Sequence, residues 1–251
     1  MDNGGAQLLI FIIYIMKKVL VTGANKGIGF EIARYLGKSG WQVIMGARSQ
    51  ERAEAAIKQL KAEGVETAGW QYVNLSDNDS LEVSAAEISK NHPDLNLLVN
   101  NAGIPGDMEV MSYEASLIDV AETAQVNYIG TFCLTKALLP LLTQNKGRVV
   151  NITVPTEVSP YWHPMAYVAS KAAQNVMTSI MAMEFDKRQI PVEIFDIHPG
   201  ATCTDLNDHY SGPGSHQPDV IGEKVADIIN DGQRHQGEFI ELYPIVDEGR
   251  D

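Results

Sequence analysis

A strand, a glycine turn and a helix follow one another near the start of this chain, and that succession limits its fold more than any other feature. Lys18-Val-Leu-Val-Thr22 is an apolar run of strand length, Gly23-Ala-Asn-Lys-Gly27-Ile-Gly29 follows, and Phe30 to Gly37 carries apolar residues at helical spacing. Glycine lets a backbone approach a ligand closely. A turn of this kind between a strand and a helix aims backbone N–H groups and a helix N-terminus at a pyrophosphate. Three glycines alone mark only a tight turn; the flanking strand and helix make the phosphate reading the stronger one.

The alternation continues. Strands are expected at Trp41–Met45, Ala68–Val73, Leu95–Val99, Gly147–Thr153, Val192–Ile197 and Glu238–Leu242, and helices at Glu51–Glu63, Leu81–Asn91, Ser116–Leu142 and Ala166–Arg188. Such a pattern predicts an α/β fold: a doubly wound, Rossmann-type parallel sheet with helices on both faces and ligands beyond the carboxyl ends of its strands. A chain of 251 residues suits one such domain, expected over residues 16–251. Residues 1–15 read as a dispensable extension. Their apolar run Leu8–Ile15 is far short of the ~20 residues that span a bilayer and lacks preceding positive charge.

Tyr167 and Lys171 stand four residues apart, so a helix places both on one face. A phenol ionises near ~10. A neighbouring ammonium favours the phenolate and is expected to bring that value down toward the working range. By itself the pair would be a solvated helix face.

Five motifs together resemble the short-chain dehydrogenase/reductase family over most of the chain from Lys18 onward, with the glycine loop closest to its carbonyl reductase branch. They are Thr22 to Gly29, Asn100-Asn101-Ala102-Gly103, Asn127 in Val126-Asn-Tyr-Ile-Gly130, the Tyr167–Lys171 pair, and Pro199-Gly200-Ala-Thr202-Cys-Thr204. The resemblance implies a nicotinamide cofactor and a catalytic set of Tyr167, Lys171 and Asn127, with Asn127 fixing a water beside Lys171. Cofactor contacts are implied for Gly23, Asn25, Lys26, Gly27, Ile28 and Gly29 in the first loop, for Asn101, Ala102 and Gly103, for Tyr167 and Lys171 themselves, and for Pro199, Gly200, Thr202 and Thr204. Asn74, where the family often has aspartate, and Leu75 would meet the adenine.

One departure from the family is serious. Thirteen residues before the tyrosine, where the family places a serine, stands Val154. Valine offers no hydrogen bond to a carbonyl, and losing such a donor costs about 10²–10³ in rate at comparable sites. Thr153 is adjacent but should point to the opposite face of the strand unless the backbone shifts near Pro155. Thr156 and Ser159 lie in the loop that follows. Trp162 and Tyr210, with Thr153 and Val154, are the expected substrate-side residues, and Leu206 to Pro218 reads as a lid.

Charge decides the cofactor. Dinucleotide sheets specific for NAD carry an acid at the end of the second strand. Here that strand ends Gly46-Ala47-Arg48, and Arg48 with Lys26 offers two cations to a 2′-phosphate, so NADP(H) is expected. The formal net charge of −13 argues against a nucleic-acid or anionic-membrane partner. Two widely spaced cysteines, Cys133 and Cys203, suit a reducing cytoplasm, and no cysteine–histidine cluster has metal spacing. The long helix around Lys171 is apolar beyond one stripe, which predicts a homodimer or homotetramer.

The leading expectation is an NADPH-dependent reductase of a ketone or aldehyde, with Tyr167 as proton donor. Two alternatives stand beside it. One is a cofactor-binding relative with weak or lost catalysis because of Val154; the other is a reductase of an imine or conjugated alkene.

Overall fold

The structure is a computed structural model and describes residues 17–158 and 162–243. The expectations for residues 1–15 and Ser159 lie outside the described residues.

Seven parallel strands form one sheet in the order β3-β2-β1-β4-β5-β6-β7. They are β1 (Lys18–Thr22), β2 (Gln42–Ala47), β3 (Thr67–Tyr72), β4 (Leu95–Asn100), β5 (Arg148–Ile152), β6 (Glu193–His198) and β7 (Phe239–Glu241). The helices are α1 (Gly27–Lys38), α2 (Gln50–Ala62), α3 (Asn78–Asn91), α4 (Leu117–Ala124), α5 (Thr131–Gln144), α6 (Met165–Arg188) and α7 (Pro218–Asn230). This is the expected doubly wound α/β arrangement. The strand order reverses between β1 and β4, so the glycine loop and Asn100–Gly103 emerge side by side at the switch point.

Side-chain alternation along the strands splits the core into two layers. Val19 and Val21 pack with Ile32, Leu36, Ile221 and Val225 on one face of the sheet. Leu20 packs with Leu81, Ile88, Leu134, Leu138 and Phe185 on the other. Full burial of each such side chain contributes about 1.5–3 kcal/mol.

Two elements differ from expectation. Ser116–Leu142 is not one regular helix. Between α4 and α5 the segment Gln125–Gly130 is wound as a π-helix and holds Asn127. A Cβ on Gly130 would lie 2.2 Å from the Leu75 carbonyl oxygen, so glycine is required where this segment crosses the loop after β3. Short π segments of this kind concentrate at functional sites. Helix α7 was not anticipated, although Pro218 at its first turn and Ile221, Val225 and Ile229 at helical spacing were available signals. It lies so close to α1 that a Cβ on Gly222 would stand 2.5 Å from Glu31 Cβ. The α4–α5 run, Leu117–Gln144, is long and apolar enough to cross a membrane by length and composition, but half of its most apolar 18-residue stretch is buried in the domain.

Candidate active site

The cofactor half of the site is built from backbone. Thr22 Oγ1 accepts from the N–H groups of Asn101 and Ala102, each at 3.0 Å, and Asn101 Nδ2 donates to the Thr22 carbonyl at 3.0 Å. These bonds tie the loop after β1 to the loop after β4. Gly23 and Gly27 adopt φ of 65° and 57°, a region that favours glycine. Gly29 has no room for a side chain: a Cβ would stand 2.4 Å from Asn101 Nδ2 and 2.6 Å from the Gly23 carbonyl oxygen. The N-terminus of α1 has no side-chain cap and no acid in its first turn, which leaves its N–H dipoles open to an anion.

The loop after β6 reaches the same place. A Cβ on Gly27 would lie 3.5 Å from Thr204 Cγ2. Lys26 forms an exposed ion pair with Asp205, so one of the two cations expected for a 2′-phosphate is already engaged. Arg48 is exposed just past the end of β2. Asn74 Oδ1 accepts from the Ser76 N–H at 3.3 Å, and the Leu75 carbonyl accepts from Gln125 Nε2 at 3.1 Å. Pro199 and Gly200 lead to Thr202, whose hydroxyl donates to the Gly200 carbonyl at 3.1 Å. Thr202 also bridges to His216 across the expected lid, and the thiol of Cys203 donates to the His209 carbonyl at 3.3 Å. Asn25 and Ile28 complete the first loop.

The proton half is built from buried side chains. Helix α6 turns Tyr167, Lys171, Gln174 and Thr178 inward, and all four are buried. Lys171 Nζ donates to the Ile152 carbonyl at 2.8 Å and to Gln174 Oε1 at 3.2 Å. Burial pushes Lys171 down to about 8, against the opposing attraction of Asp196. Tyr167 is pushed up to about 12 by burial, the reverse of the expected depression. The ammonium stands 5.9 Å from the phenol ring centroid and spends its hydrogen bonds elsewhere, so desolvation dominates. Gly103 joins this half to the cofactor loops. A Cβ there would be 3.1 Å from Asn127 Oδ1 and 3.8 Å from Lys171 Nζ.

Asn127 is fully buried, and its amide is committed to protein partners. Its Oδ1 accepts from the Ile104 N–H at 2.8 Å, and its Nδ2 donates to the Ile104 carbonyl at 2.9 Å and to Ser170 Oγ at 3.0 Å. The side chain therefore clamps the loop after β4 to α6. Both Nδ2 hydrogens are spent in this clamp, and Oδ1 keeps one lone pair beyond the bond from Ile104.

Val154 is buried beside this cluster. Thr153 does not shift register to replace the serine: its N–H continues the ladder to the Ile197 carbonyl at 3.0 Å. Its hydroxyl donates to Asn175 Oδ1 at 2.5 Å, and Asn175 Nδ2 donates to the Val154 carbonyl at 2.8 Å. Asn175 thus locks the strand end and was missed in the sequence, as was His198. The His198 Nδ1 lies 3.3 Å from the Thr153 carbonyl, and burial lowers its pKa. Trp162 packs edge-on against Tyr167, with ring centroids 5.5 Å apart. Tyr210 is exposed in the loop after β6, where its N–H donates to the Asn207 carbonyl at 3.0 Å. Among the described residues no group of histidine, cysteine and acidic side chains could hold a metal.

Comparison with known proteins places these motifs in context. The family described as short chain dehydrogenase matches residues 17–212. A 3-oxoacyl-[acyl-carrier-protein] reductase of Staphylococcus aureus is 36% identical over 200 residues, covering 78% of each chain. A short-chain dehydrogenase of Penicillium roqueforti is 33% identical over 195 residues, covering 69% of this chain and 75% of its own. Among solved structures, an alcohol dehydrogenase of Thermococcus sibiricus complexed with 5-hydroxy-NADP superposes with a TM-score of 0.81 at 28% identity, covering 94% of this chain and 100% of its own. An actinorhodin polyketide ketoreductase with NADPH gives 0.78 at 26% identity, covering 90% and 95%.

Proposed function

This chain belongs to the short-chain dehydrogenase/reductase family, and from that premise we propose that it reduces a ketone or aldehyde to an alcohol with NADPH. The observation that carries the reading is the buried Tyr167–Lys171 pair beside Gly103, at the convergence of the loops after β1, β4 and β6.

NADP(H) is the cofactor these residues fit. The glycine loop leaves no side chain between the α1 N-terminus and a pyrophosphate, and β2 ends in Ala47 and exposed Arg48 rather than an acid. Solved relatives of the same fold are complexed with NADPH or NADP. Arg48 would pair with the 2′-phosphate, and Lys171 would hold the nicotinamide ribose. Bound NADPH supplies hydride to the carbonyl carbon. Tyr167, kept neutral by burial, gives its proton from Oη to the carbonyl oxygen. The charge left on Tyr167 is stabilised by the Lys171 ammonium. Trp162 covers the phenol edge and excludes water from it.

A second reading, a cofactor-binding protein of low turnover, is favoured by Val154 and by the commitment of the Thr153 hydroxyl to Asn175. A panel of ketone, imine and enone substrates, followed by NADPH oxidation and product identification, separates the readings. Alcohol products at enzyme-dependent rates support carbonyl reduction. Cofactor binding without turnover on any member supports the second reading.

We also assign a homo-oligomer. Val176, Ile180 and Met183 form an exposed apolar stripe along α6, and Ile129 and Phe132 expose a second one at the π segment and α5. Pairing across these helices would cover both. Light scattering that shows only a 27.5 kDa species at micromolar concentration would contradict the assignment.

A further inference from the structure

Strand β6 carries an acid on the face where it also presents the core residue Ile194. Ile194 on that face belongs to the core layer under α5 and α6, but Asp196, two residues on, is 2% exposed. The parallel register aligns Asn100, Asn151 and Asp196 across β4, β5 and β6. Asn100 Nδ2 donates to Asn151 Oδ1 at 2.8 Å, and Asn151 Nδ2 donates to Asp196 Oδ1 at 3.0 Å. From above, Thr178 Oγ1 donates to the same oxygen at 2.6 Å. Thr178 is one residue of the inward face of α6 that also carries Lys171 and Gln174. A buried carboxyl is costly without compensation. Burial raises this carboxyl to about 7, against its two hydrogen bonds and the attraction of Lys171, so it carries its charge above that pH, where Lys171 titrates. The same Thr178 hydroxyl also reaches the Gln174 carbonyl at 3.2 Å, and Gln174 Oε1 accepts from Lys171 Nζ at 3.2 Å, which links the carboxylate to the ammonium through one helix face.

We propose that Asp196 is a positioning residue for Lys171: its carboxylate, fixed by Asn151 and Thr178, is the internal counter-charge that keeps the buried ammonium protonated while it serves Tyr167 and the cofactor. The proposal rests on the catalytic reading above and adds a residue to it. On α6 the buried titratable groups are Lys171 and Tyr167, and Tyr167 is held neutral; Glu184, Asp186, Lys187 and Arg188 at its C-terminal end are exposed, and Arg148 at the start of β5 is paired with Glu193. On β6 itself His198 is biased to its neutral form by burial. β5 presents Asn151, and β7 presents Phe239 and Glu241, the latter acting on His198. Glu238, before β7, is bound to His235.

The sign follows. Lys171 is charged below its pKa and neutral above it. Removing the negative charge of Asp196 removes an influence that raises that pKa, so the ammonium is lost at a lower pH. Asp196→Asn keeps an acceptor for Thr178 and Asn151 and removes only the charge. Lysine side-chain 13Cε NMR on the cofactor-free protein, with Lys171→Met to identify the signal, reads the titration directly. The alkaline limbs of NADPH affinity and kcat/KM read its consequence. The expected result is a Lys171 midpoint and alkaline limb moved toward lower pH by about one unit. Thr178→Val, which withdraws one donor from the carboxylate, should move them the same way by less, and it decides the matter if Asp196→Asn does not fold. A purely structural role would lower affinity or rate equally at every pH. Midpoints that coincide with wild type overturn the proposal. Because the NMR midpoint needs neither cofactor nor substrate, failure of every carbonyl in the panel would sink the catalytic reading without deciding this one.

Discussion

The two halves of the site are made of different materials. The cofactor half is glycine, strand ends and a helix N-terminus, with Thr22 and Asn101 bonded to neighbouring backbone groups and its charged side chains, Lys26 and Arg48, at the surface. The proton half is a layer of buried side chains, Tyr167, Lys171, Asn127 and Asp196, in which burial moves the pKa values of the tyrosine and the lysine. A backbone cradle binds by shape and dipole, and its chemistry changes little with its surroundings. A buried phenol and amine take their chemistry from their surroundings. Substitutions in the first half should therefore change affinity, and substitutions in the second should change rate or pH dependence.

The largest test of that division is Tyr167→Phe, which keeps the ring against Trp162 and removes the proton. Turnover should fall by about 10²–10⁴-fold while NADPH titration by fluorescence stays as in wild type. Unchanged turnover would break the mechanism. Next is Val154→Ser. A hydroxyl there should raise kcat on simple ketones by up to about 10²-fold. No gain would mean that another group already orients the carbonyl, and Thr156→Val would then be the informative variant.

On the cofactor side the effects are smaller and should appear in Kd alone. Arg48→Ala should weaken NADPH by roughly tenfold and leave NADH unchanged, because only the 2′-phosphate contact is lost. Equal loss for both cofactors would place Arg48 elsewhere in the site. The smallest effect is expected from Asp205→Asn. Releasing Lys26 from its exposed partner should tighten NADPH by less than about fivefold, and high salt should erase the difference. A large loss of affinity would instead show that the ion pair holds the loop after β6 in place.

The sequence was most legible where local chemistry repeats the fold. Lys18–Thr22, the glycine loop and Phe30–Gly37 stand as read, because strand, turn and helix are each specified within a few neighbours. Asn127 was found as a residue but not as a geometry. A regular helix was read over Ser116–Leu142, and no local pattern announced the π segment that Gly130 allows against Leu75. Helix α7 was hidden by the Gly- and Pro-rich stretch before it. Gln174 and Thr178 could have been placed from their spacing to Lys171, since i+3 and i+7 share its face.

By itself the sequence determined the alternation of strands and helices, the phosphate-facing turn, the phenol–amine pair and the missing hydroxyl at Val154. Each of these is a matter of residue type and short spacing. Tertiary structure alone decided which polar groups are spent and which remain free. It committed Thr153 to Asn175, Asn127 to Ile104 and Ser170, and Lys26 to Asp205. It also set Asp196 beneath α6, through a register across three strands that no sequence neighbour records. The physical reason is that desolvation and hydrogen-bond competition depend on every group that surrounds an atom, and most of those groups come from distant parts of the chain.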